Sequence, residues 1–123
     1  MDVTPLIPAG RQVIETYGDG RFRIAGVIHP GSVLVFPDRT LAWPVADAGA
    51  ITIESLEPVL GAGVQVLLLG CGRRMAPVPA DLRQGLRAAG IVVEPMDTGA
   101  ACRTYNVLMS EDRRVAAALI AVG

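Results

Sequence analysis

The sequence predicts an α/β fold, a single domain of three layers. Its mixed sheet has central parallel strands covered by helices, and an antiparallel meander from the first third of the chain packs alongside. The first third alternates short β-branched segments with glycine and proline turns. Two apolar runs, residues 64–69 and 91–93, then flank a helical pattern, as in a βαβ unit. With 123 residues, 51% of them apolar, the chain suits one domain at 11–123 after an irregular leader at 1–10.

The first third reads as a series of short strands. Residues 12–16 and 21–27 are predicted strands around 17–20, whose two glycines allow the positive φ of a hairpin turn. His29-Pro30-Gly31 is predicted as a turn, because proline and glycine favour that conformation. Residues 32–36 and 40–45 are two more strands, and Pro44 places the second at a sheet edge because it lacks a donor.

The middle of the chain introduces helices. Residues 52–60 carry apolar side chains at helical spacing and predict a short helix. Residues 64–69 are almost continuously apolar, which is typical of a strand covered on both faces. Residues 79–89 form the next helix, which begins with Pro79 and stops at Gly90.

The last third continues the alternation. Residues 91–93 are β-branched and predict a strand that Pro95 ends. Residues 98–109 are predicted as a helix, with Asp97 or Thr98 as its N-cap. We read residues 114–122 as a strand because the preceding units alternate, although the three consecutive alanines leave a helix open.

Composition excludes several classes of function. The net charge is -1, which gives no electrostatic case for nucleic acid, whose phosphates require a clustered basic surface. All eleven basic residues are arginine, so Schiff-base chemistry and a lysine-closed phosphate loop are excluded. No apolar stretch reaches the ~20 residues that a spanning helix needs, so we expect no integral membrane protein. Two cysteines without a secretory leader lead us to expect free thiols in the cytoplasm.

The first candidate site is Gly-Cys-Gly-Arg-Arg at residues 70–74, directly after the apolar strand. Its glycines would let backbone amides approach an anion, and Arg73 and Arg74 could hold carboxylate or phosphate. The third glycine of a dinucleotide fingerprint is missing. The alternative is a strand-end turn with solvated arginines, which we favour.

The second candidate site is a polar cluster in the last third: Glu94, Asp97, Thr98, Cys102, Arg103 and Asn106. If the two apolar strands are parallel neighbours, the loops 70–78 and 94–99 leave the same sheet edge, where α/β proteins bind ligands. One cleft would then hold both candidate sites. Asp97, Thr98, Arg103 and Asn106 join Arg73 and Arg74 as ligand-binding candidates.

Cys102 and Glu94 are the weak candidates for a reacting group. A thiol near a helix N-terminus and beside an arginine would have a lowered pKa. Against this, Cys102 shares a helical stripe with apolar residues, and the chain offers no nearby histidine base, so we favour a small core residue. Arg103 and Asn106 would either recognise a ligand or fasten a neighbouring loop, and Arg103 could equally pair with Glu94 or Asp97.

His29 and Trp43 are the remaining candidates. His29 lacks the partners of a metal site or a catalytic triad, so we read it as a surface turn residue and expect no metal. Trp43, before Pro44 on an edge strand, is an interface candidate because aromatic residues dominate interface energetics. A core position is the favoured alternative for Trp43.

Five segments of the sequence together resemble one known family. They are Glu-Pro-Met-Asp-Thr-Gly-Ala-Ala-Cys-Arg-Thr-Tyr-Asn at 94–106, Arg-Val-Ala-Ala-Ala-Leu-Ile at 114–120, Tyr-Gly-Asp-Gly-Arg-Phe-Arg-Ile at 17–24, Gly-Ser-Val-Leu-Val at 31–35, and Trp43-Pro44. These segments, and their order along the chain, are similar to the signature of the mitochondrial complex I assembly factor 3 family and its bacterial relatives. The resemblance implies a small α/β protein, a role in respiratory-complex assembly for mitochondrial members, and no established reaction for bacterial ones.

The resemblance therefore favours a non-catalytic assembly or interaction factor without cofactor. Its partners would be proteins, such as respiratory-complex subunits or assembly factors, and a homo-oligomer is compatible with the sequence. The alternative is a small-anion-binding protein or enzyme that uses the cleft at the strand carboxyl ends. A third class, a structural homodimer, would present an apolar patch along an exposed strand edge.

Overall fold

A three-stranded antiparallel meander opens the part of the chain that the structure, a computed structural model, describes: residues 10–123. Its strands are β1 (Ile14–Gly18), β2 (Arg21–Ile24) and β3 (Val27–Pro30). Two-residue turns connect them, Asp19-Gly20 and Ala25-Gly26, and all four residues have positive φ. Such turns match the right-handed twist of the flanking strands. The leader predicted at 1–10 lies, except for Gly10, outside the described residues.

The strand β3 corrects two predictions. Residues 21–27 were expected to form one strand, and His29-Pro30-Gly31 a turn, but the chain reverses at Ala25-Gly26 and His29 and Pro30 end β3. Alanine at φ 50° is not the asparagine, aspartate or glycine that announces this turn. Of the two residues in this turn, only Gly26 is of a type that predicts it from the sequence.

The remaining strands form a five-stranded sheet in the order β5-β4-β8-β6-β7. Their bounds are β4 (Val33–Phe36), β5 (Arg39–Ala42), β6 (Val66–Gly70), β7 (Val92–Met96) and β8 (Val115–Leu119). The central strand β8 runs parallel to β6 and antiparallel to β4, and β6 runs parallel to β7. The mixed sheet with central parallel strands is thus confirmed, and residues 114–122 contain a strand. The first-third strands β4 and β5 belong to this sheet, with β5 at its edge, so only β1–β3 form the separate meander.

Helices cover both faces of the five-stranded sheet. The helix α1 (Ala80–Ala88) follows β6, and α2 (Thr98–Ser110) follows β7, close to the predicted bounds. The predicted helix at 52–60 is a 3₁₀ helix at Glu54–Val59 that contains Pro58, and a second short 3₁₀ helix spans Ala48–Ala50. Proline removes an α-helical hydrogen bond, which favours the shorter, tighter form.

Pro95 does not end the strand as predicted, because it lies inside β7 and is paired in register with Leu69. The strand β7 is at the sheet edge, where a residue without an N–H is tolerated.

The core has two halves, one on each face of the sheet. Trp43, Leu56, Leu82 and Leu86 pack on the face that α1 covers. The other half lies among the sheet, α2 and the meander, with these members fully or almost fully buried: Phe22, Ile24, Leu68, Cys102, Tyr105 and Met109. The three-layer α/β prediction is therefore confirmed. Between residues 10 and 123, no helix has the length and apolar character to cross a membrane.

Candidate functional site

The loops after β6 and β7 leave the same edge of the sheet, as the parallel pairing of these strands requires. Backbone hydrogen bonds join the two loops. The Cys71 N–H donates to the Met96 carbonyl at 2.9 Å, and the Thr98 N–H donates to the Gly72 carbonyl at 2.8 Å. At these residues the loops are therefore in contact with each other rather than separated by a cleft.

Thr98 fastens this edge with its side chain. The fully buried hydroxyl donates to the Ile120 carbonyl at 2.8 Å and accepts from the Gly72 N–H at 3.0 Å. Gly70 makes the close approach possible, since a Cβ on it would lie 2.9 Å from Leu119 Cδ2 and 3.1 Å from Thr98 Cα. Three chain segments thus meet at one threonine, and its hydroxyl is not exposed to a ligand.

Asp97 and Asn106 are also bound to backbone. Asp97 is the N-cap of α2, and its carboxylate accepts from the Ala100 N–H at 2.9 Å. The Asn106 carboxamide holds both backbone groups of Ile14: its Oδ1 accepts from the N–H at 2.9 Å, and its Nδ2 donates to the carbonyl at 2.8 Å. Asn106 therefore fastens β1 to α2, which is one of the alternatives that the sequence left open.

Cys102 lies in the core, with 3% of its surface exposed. It faces inward on α2 with Ala101, Tyr105 and Met109. Burial raises the pKa of the thiol to about 12; nearby Arg103 lowers that pKa, but by less than burial raises it. The thiol is therefore neutral near pH 7, the opposite of what a nucleophile requires.

Glu94 is exposed on β7, and no hydrogen bond between residues 10 and 123 connects it to Cys102. The two weak catalytic candidates are therefore not joined in one hydrogen-bonded arrangement.

Arg73, Arg74 and Arg103 are exposed near this sheet edge. In the described part of the chain none of them has a carboxylate within 4.0 Å, so the alternative in which Arg103 pairs with Glu94 or Asp97 is not observed there. A Cβ added to Gly99, in the first turn of α2, would lie 2.9 Å from Tyr17 Cζ and 3.4 Å from Arg103 Nη1. The structure thus brings Arg103 beside Tyr17.

Trp43 is buried, with 3% of its surface exposed, and its indole Nε1 donates to the Ser55 carbonyl at 3.0 Å. Its position favours the core alternative over the interface candidate. His29 is half-buried in β3, opposite Phe22 in the register, and not in a turn. From residue 10 onward, no group of three or more histidine, cysteine, aspartate or glutamate side chains is placed to hold a metal ion.

Two surfaces were not foreseen from the sequence. One is the outer edge of β3, which has no partner strand among residues 10–123 and where Val27 and Ile28 are 55% and 56% exposed. The other is a cavity of about 530 Å³ whose lining includes four arginines: Arg11, Arg39, Arg113 and Arg114. The Arg-Arg pair at 113–114 was visible in the sequence, but its proximity to Arg39 depends on the pairing of β4 with β8.

Comparisons with known proteins agree with this architecture. The chain is 42% identical over 112 residues to an uncharacterised protein of Rhodobacter capsulatus, covering 91% of this chain and 86% of that protein. It is 40% identical over 110 residues to the NADH dehydrogenase [ubiquinone] 1 alpha subcomplex assembly factor 3 of Danio rerio, covering 88% of this chain. A crystal structure described as an outer membrane protein from Bartonella henselae superposes with a TM-score of 0.86 at 39% identity, covering 94% of this chain and 98% of that one.

The alignment with the eukaryotic assembly factor covers most of this chain but only part of the longer relative. The chain spans 63% of the length of the Danio rerio protein. Residues 14–120 of the sequence match a family model described as "Protein of unknown function (DUF498/DUF598)". Because this match takes in every strand and both helices of the fold, the chain belongs to the DUF498/DUF598 family.

Proposed function

We propose that this protein is a non-catalytic assembly factor that binds subunits or assembly factors of respiratory complex I. The observation that carries the proposal is the 40% identity, over nearly the whole chain, to a protein named as a complex I assembly factor. The polar cluster of the last third supports it, because Asp97, Thr98 and Asn106 are engaged with backbone groups. The protein would act in the cytoplasm, whose reducing conditions suit its two free, buried cysteines.

The binding surface in this proposal is the outer edge of β3. Among residues 10–123 this strand pairs with β2 alone, which leaves its outer backbone groups available for an added strand. Val27 and Ile28 project to opposite faces there and are both more than half exposed. The edge therefore combines free hydrogen-bonding groups with apolar surface.

The arginines beside the β3 edge favour an acidic binding partner. Arg21 and Arg23 lie on the same exposed face as Ile28, and the three line one cavity of about 360 Å³. Glu15 approaches Arg23 at 3.5 Å, and Asp19 also lines the cavity, but no carboxylate of residues 10–123 lies within 4.0 Å of Arg21. We assign the edge to an extended, acidic segment of a complex I subunit or assembly factor, whose apolar side chains would cover Val27 and Ile28.

Gene deletion and complementation in the native host test the assembly role. Deletion should lower the amount of assembled complex I in membranes, and the wild-type gene should restore it. The double variant Val27→Lys/Ile28→Lys should fail to restore it, because charged side chains obstruct strand addition. The matched control is Val92→Lys/Val107→Lys, which alters two valines of similar exposure elsewhere and should complement.

A normal level of complex I after deletion would refute the assembly role. Equal complementation by both double variants would remove the β3 edge from the proposal. Light scattering of the purified full chain provides a further check, because a stable dimer lost only in Val27→Lys/Ile28→Lys would assign the edge to self-association instead.

A further inference from the structure

The basic cavity lies at the end of the molecule opposite the polar cluster. It opens where β6 and β8 begin, between the turn that joins β4 to β5 and the residues that follow α2. Its volume of about 530 Å³ is within the range of small-molecule sites. Phe36, Pro37, Val64 and Val115 contribute apolar lining, and the rim is charged.

The rim carries an excess of positive charge. Its two aspartates each face an arginine, with Arg11 3.3 Å from Asp112 and Arg39 3.4 Å from Asp38. Arg113 and Arg114 also line the cavity, and within residues 10–123 no carboxylate lies within 4.0 Å of either. Four arginines thus face two aspartates, in a chain whose net charge is -1.

The backbone holds Arg113 and Arg114 in defined positions. The Arg113 N–H donates to the Leu108 carbonyl at 3.0 Å, and its carbonyl accepts from the Val115 N–H at 3.0 Å. The Arg114 carbonyl accepts from the N–H groups of Gln65 and Val66 at 2.9 and 3.2 Å. Because these bonds are made within the protein, little backbone ordering would be needed on binding.

Arg39 is restrained as well. Its guanidinium lies over the Phe36 ring, 4.1 Å from the centroid. A planar guanidinium presents paired N–H donors that match the oxygens of carboxylate and phosphate. The rim therefore combines a restrained Arg39 with Arg113 and Arg114, neither of which forms an ion pair with another of residues 10–123, around an apolar floor.

We propose that this cavity binds a small polyanion, a molecule with two or more carboxylate or phosphate groups. Arg113 and Arg114 provide the charge-assisted hydrogen bonds, and the carbon skeleton lies against Val64 and Val115. This site is separate from the β3 edge and does not depend on the assembly role.

Nuclear magnetic resonance titration of the full chain tests the site. The ¹⁵N-labelled protein is titrated with pyrophosphate and separately with citrate at constant ionic strength, with sodium chloride as reference. We expect saturable shifts at the Val64 and Val115 amides with at least one of the two anions. A response to pyrophosphate alone identifies phosphate recognition, and a response to citrate alone identifies carboxylate recognition.

Variants locate the binding. Arg113→Gln/Arg114→Gln should weaken the affinity at least about tenfold, the loss expected for a charge-assisted hydrogen bond. The matched control Arg83→Gln/Arg87→Gln removes the same charge from two exposed arginines of α1 that do not line the cavity, and it should leave the affinity within about twofold. Asp112→Asn should tighten binding, because it removes a rim carboxylate and frees Arg11.

Asp112→Asn keeps the test decisive should the arginine double variant fail to fold, since asparagine accepts the positive φ of 62° at this position. The proposal is overturned by shifts that equal those of sodium chloride, or by equal weakening in both arginine double variants. Unchanged or weaker binding by Asp112→Asn would also overturn it.

Discussion

Asn106 completes the backbone hydrogen bonding of Ile14, a residue 92 positions earlier in the chain. Ile14 begins β1 beside an irregularity in the pairing with β2, and its N–H and carbonyl both meet the Asn106 carboxamide. A side chain of α2 thus takes the place of a neighbouring strand at this edge. The contact joins the meander to the rest of the fold and is structural rather than catalytic.

Replacing Asn106 by alanine should destabilise the protein. Two partly buried backbone groups of Ile14 would lose their partners, which should lower the free energy of unfolding by about 1 to 3 kcal/mol. Urea unfolding followed by the fluorescence of the single tryptophan, Trp43, measures the change. Gln84→Ala, on the exposed face of α1, is the control and should change the value by less than about 0.5 kcal/mol. A loss no larger than that of the control would contradict the structural role.

Thr98→Val should also destabilise the protein, although valine has nearly the same shape. The Gly72 N–H and the Ile120 carbonyl would both lose a buried partner, at a cost of about 1 to 3 kcal/mol. Thr98→Ser retains the hydroxyl and should lose less stability than the valine variant in the same urea experiment. Should serine prove the more harmful of the two, packing of the methyl group would matter more than the hydrogen bonds.

The thiol of Cys102 should be unreactive in the folded protein. In a Cys71→Ala background, alkylation by iodoacetamide at pH 7.5 should be at least about a hundredfold slower than in urea, because reaction requires opening of the core. Mass spectrometry of timed samples measures the rate. Rapid alkylation of the folded protein would restore Cys102 as a candidate nucleophile.

Stability should fall as the pH rises above about 9. Burial raises the pKa of Cys102 from 9.0 to about 12 and also raises that of Tyr105 above its ordinary value. The unfolded chain therefore loses these protons first, so alkali favours unfolding, whereas below about pH 8 neither group makes stability depend on pH. Urea unfolding between pH 8 and 11 measures the slope.

Two variants test whether Cys102 and Tyr105 cause the loss of stability at alkaline pH. Cys102→Ala/Tyr105→Phe should flatten the decline, and Tyr17→Phe, which removes the hydroxyl of an exposed tyrosine, should leave it. The same decline in all three proteins would mean that other groups control alkaline unfolding.

The turn between β2 and β3 offers a stabilising substitution. Alanine at φ 50° is strained, whereas asparagine is favoured in this turn, so Ala25→Asn should raise the free energy of unfolding by about 0.5 to 1 kcal/mol. Ala46→Asn, at an exposed alanine without positive φ, is the control and should show no gain in the same unfolding experiment. Equal effects at both sites would indicate that backbone conformation is not the cause.

Local patterns in the sequence predicted most elements of the fold. The apolar run before Gly70, the helix after Pro79 and the helix capped by Asp97 all lie where periodicity and capping placed them. The strand β3 was missed because Ala25 is not a residue typical of its turn. The short helix predicted at 52–60 is present as a 3₁₀ helix, a type that the apolar spacing did not specify and that Pro58 favours.

The sequence predicted which residues make up the candidate site, but not the contacts that each of them makes. The sequence brought Asp97, Thr98, Cys102 and Asn106 together on one segment, but their environments depend on partners far along the chain. Thr98 meets Ile120, and Asn106 meets Ile14, across 22 and 92 positions. The sequence could not distinguish a ligand-binding hydroxyl or amide from one that is already bonded to backbone.

By itself, the sequence determined the class of fold, the absence of lysine chemistry and the order of most elements, because these follow from composition and from neighbours a few positions apart. Only the tertiary structure decided that β8 lies between β4 and β6, that the thiol is buried, and that Arg113 and Arg114 share a cavity with Arg39. The physical reason is that strand pairing and burial depend on contacts between distant segments, and no local pattern specifies which segments will meet.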